Sequence, residues 1–174
     1  TSSEKASVYQ TRYLEYIAAD TEQCIGSFVF LWGQKQERTP TWYGVFLENG
    51  CHTEAAQVMQ YLWTGEPPER PVPKFPSLTI EGASGKDSVR LIEGDLYQAE
   101  VTFESAGNNS LSYRWELLRE VEKTLESDGG DFEPTPEIVW HQYSSEMIGS
   151  VEFKAPNIGE YRLLPNGGSV GEGY

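Results

Sequence analysis

Apolar residues recur with two different periods along this chain, and the change falls near residue 76. Before that point they recur at helical spacing. Beyond it they alternate at every second position, as in half-buried strands. The pattern therefore predicts a first part that contains helices and a second part that is rich in β-strands.

The first 32 residues predict a helix followed by a strand. Thr1 and Glu4 have the T-x-x-E spacing of a capping box, at the start of a helix predicted over residues 1–20. One face of that helix carries Tyr9, Tyr13, Tyr16 and Ile17. The run IGSFVFLW, residues 25–32, is almost continuously apolar, which is typical of a strand buried on both faces in a parallel sheet.

A second helix is predicted after a loop of about 20 residues. Its apolar stripe recurs at positions i, i+3, i+4, i+7 and i+8, namely Ala55, Val58, Met59, Leu62 and Trp63. Thr53 is expected to cap its start, and Gly65 is expected to end it in a left-handed conformation. Trp63 is expected to belong to the core.

The segment GEPPERPVPKFP, residues 65–76, holds five of the ten prolines and predicts a stiff linker over residues 66–76. The β-rich segments that follow are SLTIEG, SVRLIE, YQAEVTFE, LSYRWELL, SVEFKA and YRLL. Turn sequences such as SAGNNS separate them, which favours an antiparallel, immunoglobulin-like β-sandwich over residues 77–164. Trp115 is its expected core tryptophan, and residues 165–174 form a glycine-rich, flexible tail.

The net charge of -14 is spread unevenly. Residues 77–174 hold 18 acidic and 7 basic residues, against 9 and 6 in residues 1–76. An acidic surface repels phosphate groups, so nucleic acid and membrane are excluded as expected partners, whereas a neutral sugar is unaffected.

The chain has no apolar run long enough for a transmembrane helix, and its N-terminus TSSEKASVYQ shows no signal peptide. A mature secreted chain would look the same.

The segments IGSFVFLWGQKQERTPTWYGVFLENG and EAAQVMQYLWTG resemble the end of the TIM-barrel domain in bacterial glycoside hydrolases related to the family 2, β-galactosidase-like, enzymes. The resemblance implies the seventh barrel helix over residues 1–20, the eighth strand over residues 25–32 and the eighth helix in HTEAAQVMQYLW. The linker would then lead to an immunoglobulin-like or PKD-like module, although WELL stands where a PKD module has WDFGDG.

The expected fold class is therefore α+β. A partial (β/α) barrel remnant, ordered helix–strand–loop–helix over residues 1–65, is joined by the proline-rich linker to the antiparallel β-sandwich. One strand between two helices is not a closed barrel and leaves backbone groups unmatched. The strand is thus expected to pair with the rest of a longer enzyme, with another chain, or with the sandwich sheet.

The resemblance also implies a substrate-binding site, because barrel active sites lie at the C-terminal ends of the strands. The expected set is Trp32, Gln34, Lys35, Glu37, Arg38 and Trp42. The indole of Trp32 can stack on a sugar ring while the polar side chains bind hydroxyls. Alternative interpretations stay open: Trp32 as core, a local Glu37–Arg38 salt bridge, and Trp42 with Tyr43 packing the loop onto the helix.

No catalytic residue is assigned, because glycoside hydrolysis needs two carboxyl groups about 5 Å apart in a retaining enzyme. The family carries them on the fourth and seventh strands, and nothing in this sequence matches those motifs.

His52 and His141 are isolated, so no metal or cofactor is expected. Cys24 and Cys51 are expected to be free, buried thiols, with a disulfide as the alternative. The acidic stretch ESDGGDFEPTPE is expected to be a solvated loop, with calcium binding as the alternative.

Three functions are compatible with these features. The first is the C-terminal region of a secreted, periplasmic or cell-surface carbohydrate-active enzyme that is not catalytic alone. The second is a non-catalytic carbohydrate-binding module. The third is a structural or assembly protein whose β-sandwich and exposed strand contact other chains. Expected partners are an oligo- or polysaccharide and the rest of the barrel or another copy of the chain.

Overall fold

The computed structural model describes residues 1–104, 111–121, 133–144 and 149–169. The chain divides into two compact units, Thr1–Lys74 and Phe75–Tyr174. In the described residues both α-helices lie in the first unit, and both sheets are built from strands that begin at or after Lys74. The chain is therefore of mixed α and antiparallel β structure, in agreement with the predicted α+β class.

Helix α1 spans Ser2–Arg12 and continues as a π-helical turn over Tyr13–Ala18. The predicted capping box is present. The Thr1 hydroxyl accepts a hydrogen bond from the Glu4 backbone N–H at 3.1 Å, and the Glu4 carboxylate accepts one from the Thr1 amine at 2.7 Å. The predicted apolar face is only partly confirmed, because Tyr16 is exposed. A π-helical turn holds more residues than an α-helical one, so it shifts the face on which the later side chains lie.

Helix α2 spans Glu54–Thr64 and ends at Gly65, whose φ of 75° is left-handed, as predicted. Thr53 occupies the N-cap position, but the prediction that its side chain caps the helix is wrong. Its hydroxyl donates instead to the Val45 carbonyl at 2.7 Å. The prediction of a core Trp63 is also wrong, because this side chain is 43% exposed.

Residues 25–32 do not form the predicted strand. Their backbone pairing in the described part of the chain is one parallel bridge between Leu31 and Gly44, and they belong to neither sheet. Ile25, Phe28 and Phe30 are exposed. A strand needs a hydrogen-bonded neighbour along its length, and the first unit supplies none here.

The second unit contains seven strands in its described residues. They are β1 (Lys74–Ile80), β2 (Ala83–Ser84), β3 (Leu96–Glu104), β4 (Leu111–Arg119), β5 (Ile138–Ser144), β6 (Ser150–Lys154) and β7 (Tyr161–Ser169). One sheet has the order β2-β1-β3-β6 and the other the order β5-β4-β7. The pairs β1–β2, β3–β6, β4–β5 and β4–β7 are antiparallel.

Five of the six predicted β-segments correspond to strands. The exception is SVRLIE, residues 88–93, which forms no strand although its Leu91 packs against the core. This segment begins at Ser88, which has a left-handed φ of 50° that interrupts an extended chain. The prediction missed β5, and β7 continues to Ser169, into the residues predicted to be a flexible tail.

The buried side chains of the two sheets form one cluster. The sheet of β3 and β6 contributes Ala99, Val101, Val151 and Phe153, and the sheet of β4 and β7 contributes Tyr113, Trp115, Leu117 and Leu163. Trp115 is fully buried, which confirms its predicted core role. Period-two alternation along each strand sends these side chains to the same side.

Candidate functional site

An open cavity of about 200 Å³ lies where the apolar segment of residues 25–32 ends. Trp32 and Phe46 line one side, and α2 lines the other with Ala56, Gln60, Trp63 and Thr64. Trp32 is 53% exposed, and its ring centroid lies 5.0 Å from that of Phe46 and 5.5 Å from that of Trp63. The cavity is thus lined by aromatic side chains, of which the two tryptophans are partly exposed.

Helical geometry explains how α2 contributes four side chains to this cavity. Positions 56, 60, 63 and 64 are separated by four, seven and eight residues and therefore share one face. Ala56 contributes only a methyl group to this lining. The indole N–H of Trp63 donates to the Ser27 hydroxyl at 3.3 Å, which ties the helix to the segment before Trp32. His52 completes the rim, with its ring edge-on to Phe46 at 5.2 Å.

The loop after Trp32 folds back on itself around two glycines. The Gly33 carbonyl accepts hydrogen bonds from the backbone N–H groups of Val45 and Phe46, at 3.0 and 3.2 Å. A side chain on Gly44 would meet that carbonyl oxygen at 2.5 Å, so only glycine fits there. Val45, fully buried, anchors the returning chain and thereby presents Phe46 beside Trp32.

Lys5 of α1 is bonded to the same loop. Its ammonium donates to the carbonyls of Thr41 and Gly44, both at 2.7 Å, and lies 5.6 Å from the Tyr9 ring centroid. Burial lowers the pKa of Lys5, and burial raises the pKa of Tyr9. Lys5 was not among the residues predicted for the site. Its signal was a lone cation four residues before Tyr9, on the predicted apolar face.

The polar cluster after Gly33 forms a small structure of its own. Lys35 and Glu37 make an ion pair at 3.0 Å. Around Arg38, whose φ is +61°, Glu37 and Thr39 exchange two backbone hydrogen bonds of 2.6 and 3.3 Å. Glu37 thus has Lys35 as an ion-pair partner, a pairing that was not predicted.

Of the predicted substrate-binding residues, Trp32 is the one that lines the cavity. Gln34, Lys35, Glu37, Arg38 and Trp42 lie on the following loop and are not part of its lining. Trp42 is 54% exposed, and its ring stands edge-on to Tyr43, which in turn contacts Phe30. The lining residues that were not predicted for the site are Phe46, His52, Ala56, Gln60, Trp63 and Thr64. Of these, Trp63 was predicted as part of the apolar core stripe of α2.

The described residues hold no group of three or more His, Cys, Asp or Glu side chains that could bind a metal. Cys24 and Cys51 are not bridged, and Cys51 is exposed, so the expectation of two buried thiols is wrong for it. The acidic stretch of residues 126–137 lies outside the described residues up to position 132. Among the helices that the structure describes, none is long and apolar enough to cross a membrane.

Comparison with known proteins finds no family model and no curated protein that matches this chain. The cavity is lined by the adjoining indoles of Trp32 and Trp63, against which the apolar face of a ring can lie, and hydroxyl, amide and imidazole groups are available for hydrogen bonds.

Proposed function

We propose that the chain forms the C-terminal region of a carbohydrate-active enzyme of the glycoside hydrolase type. In this role it contributes glycan contacts and an accessory β-sandwich, while the catalytic carboxylates belong to another part of the enzyme. The observation that carries the proposal is the cavity lined by the half-exposed indoles of Trp32 and Trp63. Polysaccharide substrates also favour a secreted, periplasmic or cell-surface location.

The chemistry of the cavity suits a neutral sugar ring. An indole offers a flat apolar surface for the C–H face of a pyranose, and Gln60, Thr64 and His52 can donate to or accept from its hydroxyls. The net charge of -14 disfavours polyanionic ligands by repulsion and leaves neutral ones unaffected.

The exposed apolar segment before Trp32 supports a place beside other strands. Exposure alternates along residues 27–32, with Phe28 99% and Phe30 83% exposed, as on one side of an extended chain. In the described residues no backbone-to-backbone hydrogen bond reaches Ile25–Val29. Strands of a parallel barrel are buried on both faces. The rest of a barrel, or another chain, would therefore cover the exposed side chains and provide hydrogen-bond partners for the backbone of this segment.

The second unit has features that support an immunoglobulin-like sandwich. If β1, β3 and β6 are taken as strands A, B and E, and β5, β4 and β7 as C′, C and F, the strand neighbours are compatible with part of the order of that fold, and β2 stays unassigned. Trp115 is then the buried tryptophan of strand C. Tyr161 at the start of strand F donates its hydroxyl to the Asn157 carbonyl at 3.0 Å, as in a tyrosine corner.

Titration with neutral oligosaccharides, monitored by tryptophan fluorescence, tests the cavity. We expect a saturable signal with at least one of cellohexaose, xylohexaose or mannohexaose. Trp32→Ala should weaken binding by about tenfold, a loss of roughly 1.4 kcal/mol. Trp42→Ala is the matched control, because Trp42 is equally exposed but outside the cavity, and it should change affinity less than about twofold.

Three results would contradict the proposal. The first is a flat fluorescence response to all three oligosaccharides, and the second is binding that Trp32→Ala leaves unchanged. The third is turnover of an aryl glycoside by the chain alone that is lost in Glu37→Gln, because this would make the chain catalytic by itself.

An assembly role is the second candidate, and the exposure of Ile25, Phe28 and Phe30 favours it. Light scattering over a range of protein concentrations tests it. Association that Phe28→Ser and Phe30→Ser abolish, with no glycan binding in the wild type, would support assembly over glycan recognition. A strict monomer would remove it.

A further inference from the structure

We propose that the second unit carries a separate binding site for a neutral polysaccharide on the outer face of the β5-β4-β7 sheet, centred on Tyr143. The outer face is the side opposite the core that this sheet shares with the other sheet. On β4 the side chains of Tyr113, Trp115 and Leu117 enter that core. Those of Arg114 and Glu116 alternate with them and therefore lie on the outer face.

Strand register brings a polar and aromatic cluster together on this face. Arg114 is paired with Tyr143 on β5 and with Asn166 on β7, and Glu116 is paired with His141 on β5. Directly opposed residues of an antiparallel pair point to the same side of the sheet. The five side chains therefore occupy two adjacent rows of the sheet.

The contacts within this cluster hold the Tyr143 ring in place. The guanidinium carbon of Arg114 lies 5.2 Å from the ring centroid, and the His141 ring stands edge-on at 5.7 Å. Arg114 is fixed in turn by Glu116, whose Oε1 is 3.0 Å from the guanidinium Nε, and the Asn166 amide donates to the other carboxylate oxygen. Tyr143 thus rests on a polar network that is already assembled before any ligand binds.

Burial distinguishes this cluster from an ordinary surface ion pair. Glu116 is 9% exposed although it lies on the face away from the shared core, whereas Tyr143 beside it is 69% exposed. The exposure of Tyr143 contributes nothing to the stability of the fold. The orientation of its ring is constrained by the Arg114 guanidinium and by the His141 ring. A rigid, exposed ring next to fixed donors and acceptors is the arrangement that a sugar ring requires.

The charges at this site and in the second unit favour a neutral ligand. Glu116 neutralises Arg114, and residues 77–174 carry 18 acidic against 7 basic residues. A polyanion would therefore be repelled, while a neutral pyranose chain can stack on Tyr143 and bond its hydroxyls to the guanidinium, imidazole and carboxylate groups. This site does not depend on the cavity of the first unit.

Affinity electrophoresis of the full chain tests the site, in gels that contain hydroxyethylcellulose, xylan, glucomannan or polygalacturonate. The Trp32→Ala background removes the contribution of the first unit. In that background we expect retention by at least one of the three neutral polysaccharides. Tyr143→Ala should reduce this retention by about tenfold. Tyr143→Phe, which keeps the ring, should stay within about threefold of the parent.

Tyr16→Ala is the matched control, because Tyr16 is 71% exposed but lies on the π-helical turn of the first unit. It should leave retention unchanged. Amide hydrogen exchange of β4 and β5 should be the same in Tyr143→Ala as in its parent, which verifies the fold. No retention by a neutral polysaccharide, equal retention after Tyr143→Ala, or retention by polygalacturonate alone would overturn the proposal. Failure of the first-unit proposal would appear instead in the oligosaccharide titration, as binding that Trp32→Ala leaves unchanged. Failure of the Tyr143 site and failure of the first-unit site can therefore be told apart.

Discussion

Phe28 and Phe153 are the same residue type in apolar segments of the two units, yet Phe28 is 99% exposed and Phe153 is 2% exposed. Phe153 lies on β6, which faces a second sheet across a shared core. Phe28 lies in a segment that no second layer covers within the described residues. The comparison teaches that an apolar pattern predicts the need for burial, while the presence of a facing layer decides whether burial occurs.

The buried side chains of the two units differ accordingly in size. In the first unit they are mainly small: Ala6, Val45, Ala55, Ala56 and Met59. In the second they include Trp115, Phe153 and Tyr113. Because hydrophobic stabilisation scales with the buried apolar area, the first unit gains less from its core than the second and depends relatively more on its hydrogen bonds.

The largest expected effect comes from removing one member of this pair of phenylalanines. Phe153→Ala should lower the free energy of unfolding of the second unit by about 3–5 kcal/mol, because it leaves a cavity in the core. Phe28→Ala should change that of the first unit by less than about 0.5 kcal/mol. Urea unfolding with amide hydrogen exchange resolved by peptide measures both units separately. A comparable loss for Phe28→Ala would show that Phe28 is covered in solution.

Gly44→Ala tests the close approach of the backbone at Gly33 and Gly44 in the first unit. Its methyl group would lie 2.5 Å from the Gly33 carbonyl oxygen, a backbone atom, so the loop must shift. We expect a loss of about 1–3 kcal/mol. Gly33→Ala is the control, since a methyl group added there would meet no atom within 4 Å. Equal stability of Gly44→Ala and Gly33→Ala, measured by the same urea titration, would contradict the close approach of the two chain segments.

Lys5→Met should cost about 1–2 kcal/mol, because two backbone carbonyls lose their donor. Its pH dependence provides a second readout. The pKa of Lys5 is lowered from 10.5, so between the folded value and 10.5 the unfolded state binds more protons than the folded state. The contribution of Lys5 to stability must therefore rise with pH across that window. The difference between wild type and Lys5→Met, followed upward from pH 8, should grow, and a decrease would contradict the burial of this ammonium.

Tyr161→Phe should have the smallest effect, a loss of about 1 kcal/mol in the second unit. It removes the hydroxyl that bonds to Asn157 and accepts from the Arg119 guanidinium at 2.9 Å. Thermal unfolding compared with that of Tyr16→Phe measures the loss against an exposed tyrosine. An unchanged melting temperature would argue against a tyrosine corner.

Short-range features were predictable from sequence. The Thr1–Glu4 capping box, the left-handed Gly65 and five of the β-segments each depend on neighbouring residues or on a short period, and the structure contains them all. Trp115 was recognisable as core from its central position in an alternating strand. The strand β5 was missed because its sequence IVWHQYS follows a proline-containing stretch without a clear turn signal.

The candidate site was less predictable. Trp32 was identified from its position after an apolar run, but its partner Trp63 was assigned to the core, because helical spacing alone does not show what covers a helix face. Likewise, nothing local indicated that Lys5 would bond to carbonyls some 40 residues away, at Thr41 and Gly44. Such contacts depend on how the elements pack, which is a non-local property.

The sequence by itself determined the helices, most strands, the acidic charge and the aromatic content, because these follow from local propensity, periodicity and composition. Only the tertiary structure decided that IGSFVFLW has no sheet partner within the first unit and that Trp32 meets Trp63 at a cavity. It also decided that Glu116 is buried beside an exposed Tyr143. The physical reason is that burial and pairing require a second surface, and the chain specifies that surface through residues distant in sequence.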